Sequence, residues 1–129
     1  MGAFDALNIA GSGLGAHQTW LDTLAYNLAN VNTVRSTSQT AFQAQMVMTQ
    51  AVPGGGVDVT GIALSDPEGV VVNNPDHPLA DADGNVRMPA MDMASQMSQL
   101  IMAQRGFQAS SQVTKYAQET YTAALGIGR

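Results

Sequence analysis

Leu7, Leu14, Leu21 and Leu28 recur every seven residues, and Ala10, His17, Leu24 and Val31 fill the positions between them. Alternating steps of three and four put these side chains on one face of a helix and suit a seam against a second helix. The spacing predicts a helix over residues 4–32. A second run answers it near the other end. Met93, Leu100, Phe107 and Tyr121 share one seven-residue register, interrupted by Thr114, with Met97 and Leu125 at companion positions and Gln104, Ser111 and Gln118 between. Pro89 suits the first turn of this helix, where its missing N–H is harmless, and Gly126 and Gly128 suit its end. From Pro89 to Leu125 such a helix is about 55 Å long at 1.5 Å per residue, nearly twice the roughly 30 Å diameter of a small domain. It must project, pair in a rod, or break, and Gly106 is where a break would fall.

The polar faces of these runs carry little charge. The first holds Asp5 and Asp22; the second holds Asp92, Arg105, Lys115 and Glu119 among Gln, Ser, Thr and Ala. Solvated coiled-coil helices usually show Glu and Lys along their flanks. Neutral, small faces suggest helices that touch protein on several sides. Gly11, Gly13 and Gly15 interrupt the first run, each costing about 1 kcal/mol relative to Ala in a helix interior. Both ends of the chain are therefore expected to fold fully only on assembly.

Between the helices the period falls to two. Phe42, Ala44, Met46 and Met48 alternate with Gln43, Gln45, Val47 and Thr49 and predict a strand. "PGGG" at 53–56 reads as a loop. "VDVTGIAL" and "VVV" flank "SDPEG", whose Pro67 and Gly69 mark a type I turn, so these two runs are expected to form a hairpin. The organisation is thus residues 1–34 as an N-terminal helix, 35–88 as a small β-rich module with loops, and 89–129 as a long C-terminal helix. The fold class is mainly α, the two long helices paired as a coiled coil around one structural domain.

Composition narrows the function. The chain has no Cys, which excludes disulfides, thiolate catalysis and Cys-based zinc sites. Eight Met stand against one Trp, three Phe and three Tyr, a balance that favours adaptable contacts over a rigid aromatic core. The net charge of −5 and the scattered basic residues (Arg35, Arg87, Arg105, Lys115 and Arg129) argue against a nucleic-acid partner. No stretch approaches the roughly 18 apolar residues of a membrane span, so direct membrane insertion is not expected. The opening segment lacks the basic start and unbroken apolar centre of a secretory signal.

Three motifs invite a chemical reading. "GSGLG" at 11–15 resembles a phosphate loop, but no strand precedes it and no Lys follows. A hydrolytic triad needs an imidazole; His17 falls on the helical seam, His77 lies in a loop, and no elbow motif marks a Ser. Asp81, Asp83 and Asn85, with Asp92 in twelfth place, partly mimic a calcium loop, yet Val86 stands where that loop needs Gly. Turn chemistry explains the run better, with Asp92 as an acid in the first turn of the second helix. No catalytic residue, metal ligand or cofactor is assigned, and the chain is not read as an enzyme.

Three stretches carry a family resemblance. "IAGSGLGAHQTWLDTLAYNLANVNT" ends on Ala29, Asn30, Asn32 and Thr33; "LSDPEGVVVNNPDHPLADADGNVRMPAMD" runs through His77, Pro78, Asp81 to Gly84, Pro89 and Asp92; "MSQLIMAQRGFQASSQV" holds Arg105, Phe107 and Gln108. Together they span nearly the whole chain and resemble the flagellar basal-body rod proteins, the proximal-rod members in particular. One departure is that "VRSTSQTAF" follows Asn-Thr where many relatives carry Gly-Tyr. The resemblance implies a structural subunit, exported through the flagellar type III apparatus without a cleaved signal peptide. It implies helical assembly through the terminal helices into the drive shaft of the basal body in the cell envelope. The implied partners are other rod subunits and copies of itself, the ring-to-rod adaptor protein and the export apparatus. Assembly contacts are expected at Leu7, Leu14, Leu21, Leu24 and Leu28, at Asn30 and Asn32 where the first helix ends, and at Met93, Met97, Leu100, Phe107, Tyr121 and Leu125. The competing expectation is a free-standing coiled-coil adaptor or secretion chaperone.

Overall fold

The structure, a computed structural model, describes residues 2–128. Its elements in chain order are α1 (Ala3–Ala29), β1 (Gln45–Ala51), β2 (Val57–Leu64), β3 (Val70–Asn73), β4 (Asn85–Met88) and α2 (Met93–Ile127). Two long helices thus bracket a small β region, and α2 passes through Gly106 without interruption. No described helix is long and apolar enough to cross a membrane.

Both helix termini differ from the sequence expectation in informative ways. α1 stops at Ala29, where Asn30 N–H bonds the Asn27 carbonyl and the Asn30 amide donates back to Tyr26 O at 3.0 Å. α2 begins at Met93 rather than at Pro89. Asp92 is its cap: the carboxylate accepts the Ser95 N–H at 2.9 Å, and the Asp92 carbonyl accepts Gln96 N–H. A side chain that satisfies an orphan N–H competes better for the cap than a proline merely compatible with the first turn. Pro89 is buried in the approach instead.

The β region holds two separate two-stranded sheets, β1 with β2 and β3 with β4. The hairpin expected across "SDPEG" is not formed. That turn exists, with Glu68 N–H on Asp66 Oδ1 at 2.8 Å and Gly69 at φ 59°, but it links strands of different sheets. β1 and β2 pair because Gly54, Gly55 and Gly56 all adopt positive φ, so Val52 N–H meets Gly56 O across a tight loop. β3 pairs antiparallel with β4, Val70 opposite Met88 and Asn73 opposite Asn85. The predicted strand start at Phe42 also fails. Ala44 N–H and Gln43 Nε2 bond Ser65 Oγ and O, which takes this stretch out of the ladder; Phe42 and Ala44 are buried there.

The chain divides into two compact units, one of Met1–Leu21, Val47–Gly61 and Ile101–Arg129, the other of Asp22–Met46 and Ile62–Leu100. In the first, Ala10 and Ala103 are buried, Ala103 completely. In the second, Leu24, Ala41, Phe42, Ala44 and Val86 form the apolar interior with Asn27 and Thr23.

Candidate assembly interface

In the first unit α1 and α2 lie antiparallel. Phe4 meets Tyr121 edge to face at 5.1 Å, Gly13 meets Ser110, and His17 meets Gly106. From Gly13 to His17 the four-residue step along α1 is matched by the four-residue step back along α2 from Ser110 to Gly106. The centre of this seam is small. A Cβ on Gly13 would stand 3.2 Å from Ser110 Oγ, and one on Gly106 would run into the His17 ring. His17 Nδ1 bonds the Gly13 carbonyl one turn back at 2.7 Å, which fixes the imidazole against Gly106. His17 is thus a packed seam residue, as its place in the repeat predicted.

The glycine loop between β1 and β2 docks on the same helix. Added Cβ atoms at Gly55 and Gly56 would come within 2.7 Å of Ile9 and 2.6 Å of Ser12. Ser12 Oγ accepts the Val57 N–H at 3.1 Å and donates to Ile9 O. "GSGLG" is therefore a docking surface for backbone, not a phosphate cradle. Gly11 and Gly15 differ: both are exposed, and a Cβ on either would meet nothing within 4 Å.

In the second unit polar side chains hold the packing. Asn27, only 1% exposed, donates Nδ2 to Gln45 O at 2.8 Å and to Gln96 Oε1 at 3.0 Å, and accepts Gln45 N–H at 2.8 Å. One amide thereby joins α1, the start of β1 and α2. Arg87 works similarly. Its guanidinium donates to Glu68 O at 2.6 Å and Thr37 O at 3.0 Å, and its peptide group exchanges two 2.8 Å bonds with Arg35.

Asp81 closes the loop between β3 and β4. Its carboxylate accepts the N–H groups of Asn85 and Asp83 and the Thr37 hydroxyl. The Asn85 N–H first, then Thr37, hold this carboxyl below the ordinary aspartate value of 3.8. Its two oxygens are thus engaged by protein donors, and Asp92 caps α2, so two corners of the calcium-like spacing serve the fold. Among the described residues no group of three or more His, Asp or Glu is placed to hold a metal ion.

The expected contact residues divide by burial. Leu24 is buried within the fold, and Leu7, Leu14, Leu21, Leu28, Leu100 and Phe107 are half-buried. Met93, Met97 and Leu125 are 48%, 46% and 57% exposed, and Tyr121 is 37% exposed beside Phe4. Asn30 accepts the Thr33 hydroxyl and bonds Tyr26 O, whereas Asn32 is exposed. In the first unit the centre of the seam is Ala10, Gly13 and His17 on α1 and Ala103, Gly106 and Ser110 on α2. The repeats do not mark Asn27, Arg87 or the α2 positions Ala103, Gly106 and Ser110. The available signal for Asn27 was a polar residue set between Leu24 and Leu28 on the apolar face.

Comparison with known proteins identifies the family. Residues 7–35 match the family described as flagella basal body rod protein. Residues 82–127 match the C-terminal family of flagellar basal body rod FlgEFG proteins. Over full length on both sides, the chain is 34% identical to the flagellar basal-body rod protein FlgC of Salmonella typhimurium and equally to that of Escherichia coli O157:H7. It is 27% identical to FlgC of Bacillus subtilis, again across both whole chains.

Proposed function

The chain belongs to the FlgC family of flagellar basal-body rod proteins, and from that premise we propose how it acts as a structural subunit of the rod. The observation that carries the family is the full-length match at 34% identity. The work is mechanical rather than catalytic. The subunit joins other basal-body components and stacks helically in the proximal rod, where it transmits torque. Head-to-tail contacts that do not close on themselves generate such a filament.

The assembly face we assign is the outer side of the helices. Met93, Met97 and Leu125 stand exposed there, with Leu7, Leu14, Leu21, Leu28, Leu100, Phe107 and Tyr121 beside the seam, and Asn30 and Asn32 at the end of α1. Apolar side chains left in water on a helix are the kind that association covers. Gly11 and Gly15 support the same face, since each lowers helix propensity with no contact inside the chain to explain it. Neighbouring rod subunits and further copies of this chain are the partners on that face. The ring-to-rod adaptor and the export apparatus, which delivers the chain unfolded and uncleaved, complete the set. A free-standing adaptor or chaperone finds no support among the relatives.

Met97→Asp tests the assignment. Met97 is exposed, so the isolated variant should keep its helicity and melting temperature. Cells carrying it should export the subunit yet yield basal bodies without a complete rod, and be non-motile. Normal motility with the variant incorporated would remove this face from the interface.

A further inference from the structure

The sheet of β3 and β4 has one covered side and one open side. Arg87 of β4 turns its N–H and C=O to Arg35, which seals that strand's outer side. Asn74 N–H bonds Gly84 O, continuing the ladder beyond β3. By the alternation of an antiparallel ladder, Val70 and Val72 therefore exchange bonds with β4, while Val71 and Asn73 direct their peptide groups away from it. All four residues of β3 are exposed, Val71 at 53%. Val70 and Val72 remain 49% and 37% exposed although their β4 neighbour Val86 is buried. Edges of this kind are normally blunted by Lys, by Pro or by a bulge. "VVVN" has none of these.

Charge identifies what fits the edge. Asp66 and Glu68 precede β3, Asp76 and Asp83 follow it, and all four are exposed. The Asn73 amide reaches Asp83 O, which places that residue at the strand's end. The nearby arginines offer no compensation at the open side. Arg87's guanidinium is held by two carbonyls, and Arg35 sits across β4. Pairing of β3 with β3 of a second copy, in either direction, would set these carboxylates against one another. β1 and β2, "QMVMTQA" and "VDVTGIAL", carry no Lys or Arg.

We propose that the outer edge of β3 is a docking edge for an extended, β-branched segment flanked by Lys or Arg on a protein other than this chain. Val71 and Asn73 supply main-chain bonds and the flanking carboxylates supply direction, as in strand addition to an exposed sheet edge. The inference does not depend on the rod assignment, because it concerns a different surface.

The test titrates the full chain, labelled with ¹⁵N, with a synthetic peptide of alternating Val and Thr between terminal lysines, and with the same peptide between glutamates. The Lys-flanked peptide should shift the Val71 and Asn73 amides and slow their exchange, and should bind at least about tenfold tighter than the Glu-flanked one. Val71→Pro removes an outward N–H and leaves the bonds of Val70 and Val72 to β4 to be checked by Val86 protection, so with that protection kept it should weaken binding at least about tenfold. Val71→Lys, a surface change, should do the same by repulsion. Absence of change at Val71 and Asn73 at millimolar peptide would overturn the edge. Equal binding of both peptides would overturn the basic partner. Self-association lost in Val71→Pro, seen by sedimentation, would overturn the exclusion of a second copy.

Discussion

The two units differ in the balance of what holds them together. In the first, α1, α2 and the glycine loop approach until there is no room for another carbon, at Gly13, Gly55, Gly56 and Gly106. In the second, three polar side chains, Asn27, Arg87 and Asp81, collect backbone groups that would otherwise lack partners. The first region is therefore broken by adding atoms; the second, although crowded in its turns at Gly69 and Gly84, is broken by removing them as well. A chain poor in aromatics gains specificity by both routes, since steric fit and hydrogen-bond satisfaction are each geometrically exacting.

The largest effect should come from Gly106→Leu, which drives a side chain into the His17 ring. Overpacking of this sort costs about 3 kcal/mol, to be read as a lowered urea midpoint. Asn27→Ala attacks the other region by deletion. It removes three hydrogen bonds and leaves Gln45 N–H unmatched, at about 1 kcal/mol each, so roughly 2–3 kcal/mol in the same assay. Gly15→Ala sharpens the contrast by reversing the sign. With open space around it, the new methyl should stabilise the isolated chain by about 0.5–1 kcal/mol, and a loss of stability would show that α1 is crowded on both sides. The smallest effect is electrostatic. Asp81's folded value lies below the ordinary 3.8, so its contribution is complete above that pH and lost as pH falls through the lower folded value. Asp81→Ala should therefore flatten the acid end of a stability-against-pH curve and leave the neutral region nearly parallel to the parent.

The heptad repeats made both long helices legible, because apolar periodicity reports which face a helix hides. They marked the α1 side of the seam at Ala10 and His17 but missed its α2 side. Met93, Leu100, Phe107 and Tyr121 draw the eye by size, yet the close contact in the first unit runs through Ala103, Gly106 and Ser110, beside that column. Small residues bury little area each, but they set how closely two backbones approach. The strand pairing was illegible for another reason. "SDPEG" is a sound turn, and a turn dictates a reversal of direction without dictating which strands then share hydrogen bonds. That choice rests on the positive φ of Gly54 to Gly56 and on Ser65 capturing Ala44, neither of which local periodicity records. Around Asp81 the calcium-like spacing carries no information by itself, whereas the directions of the surrounding N–H groups decide what a carboxylate does.

Gly106 also bears on how the molecule carries load. An unfilled glycine within a long helix is its softest section, the first place to buckle or unwind under torsion. Here the His17 ring lies against it and is itself tethered to the backbone of α1. Twisting α2 at this point must displace the neighbouring helix as well as its own hydrogen bonds. The weakest cross-section of the long helix is thus also its braced one.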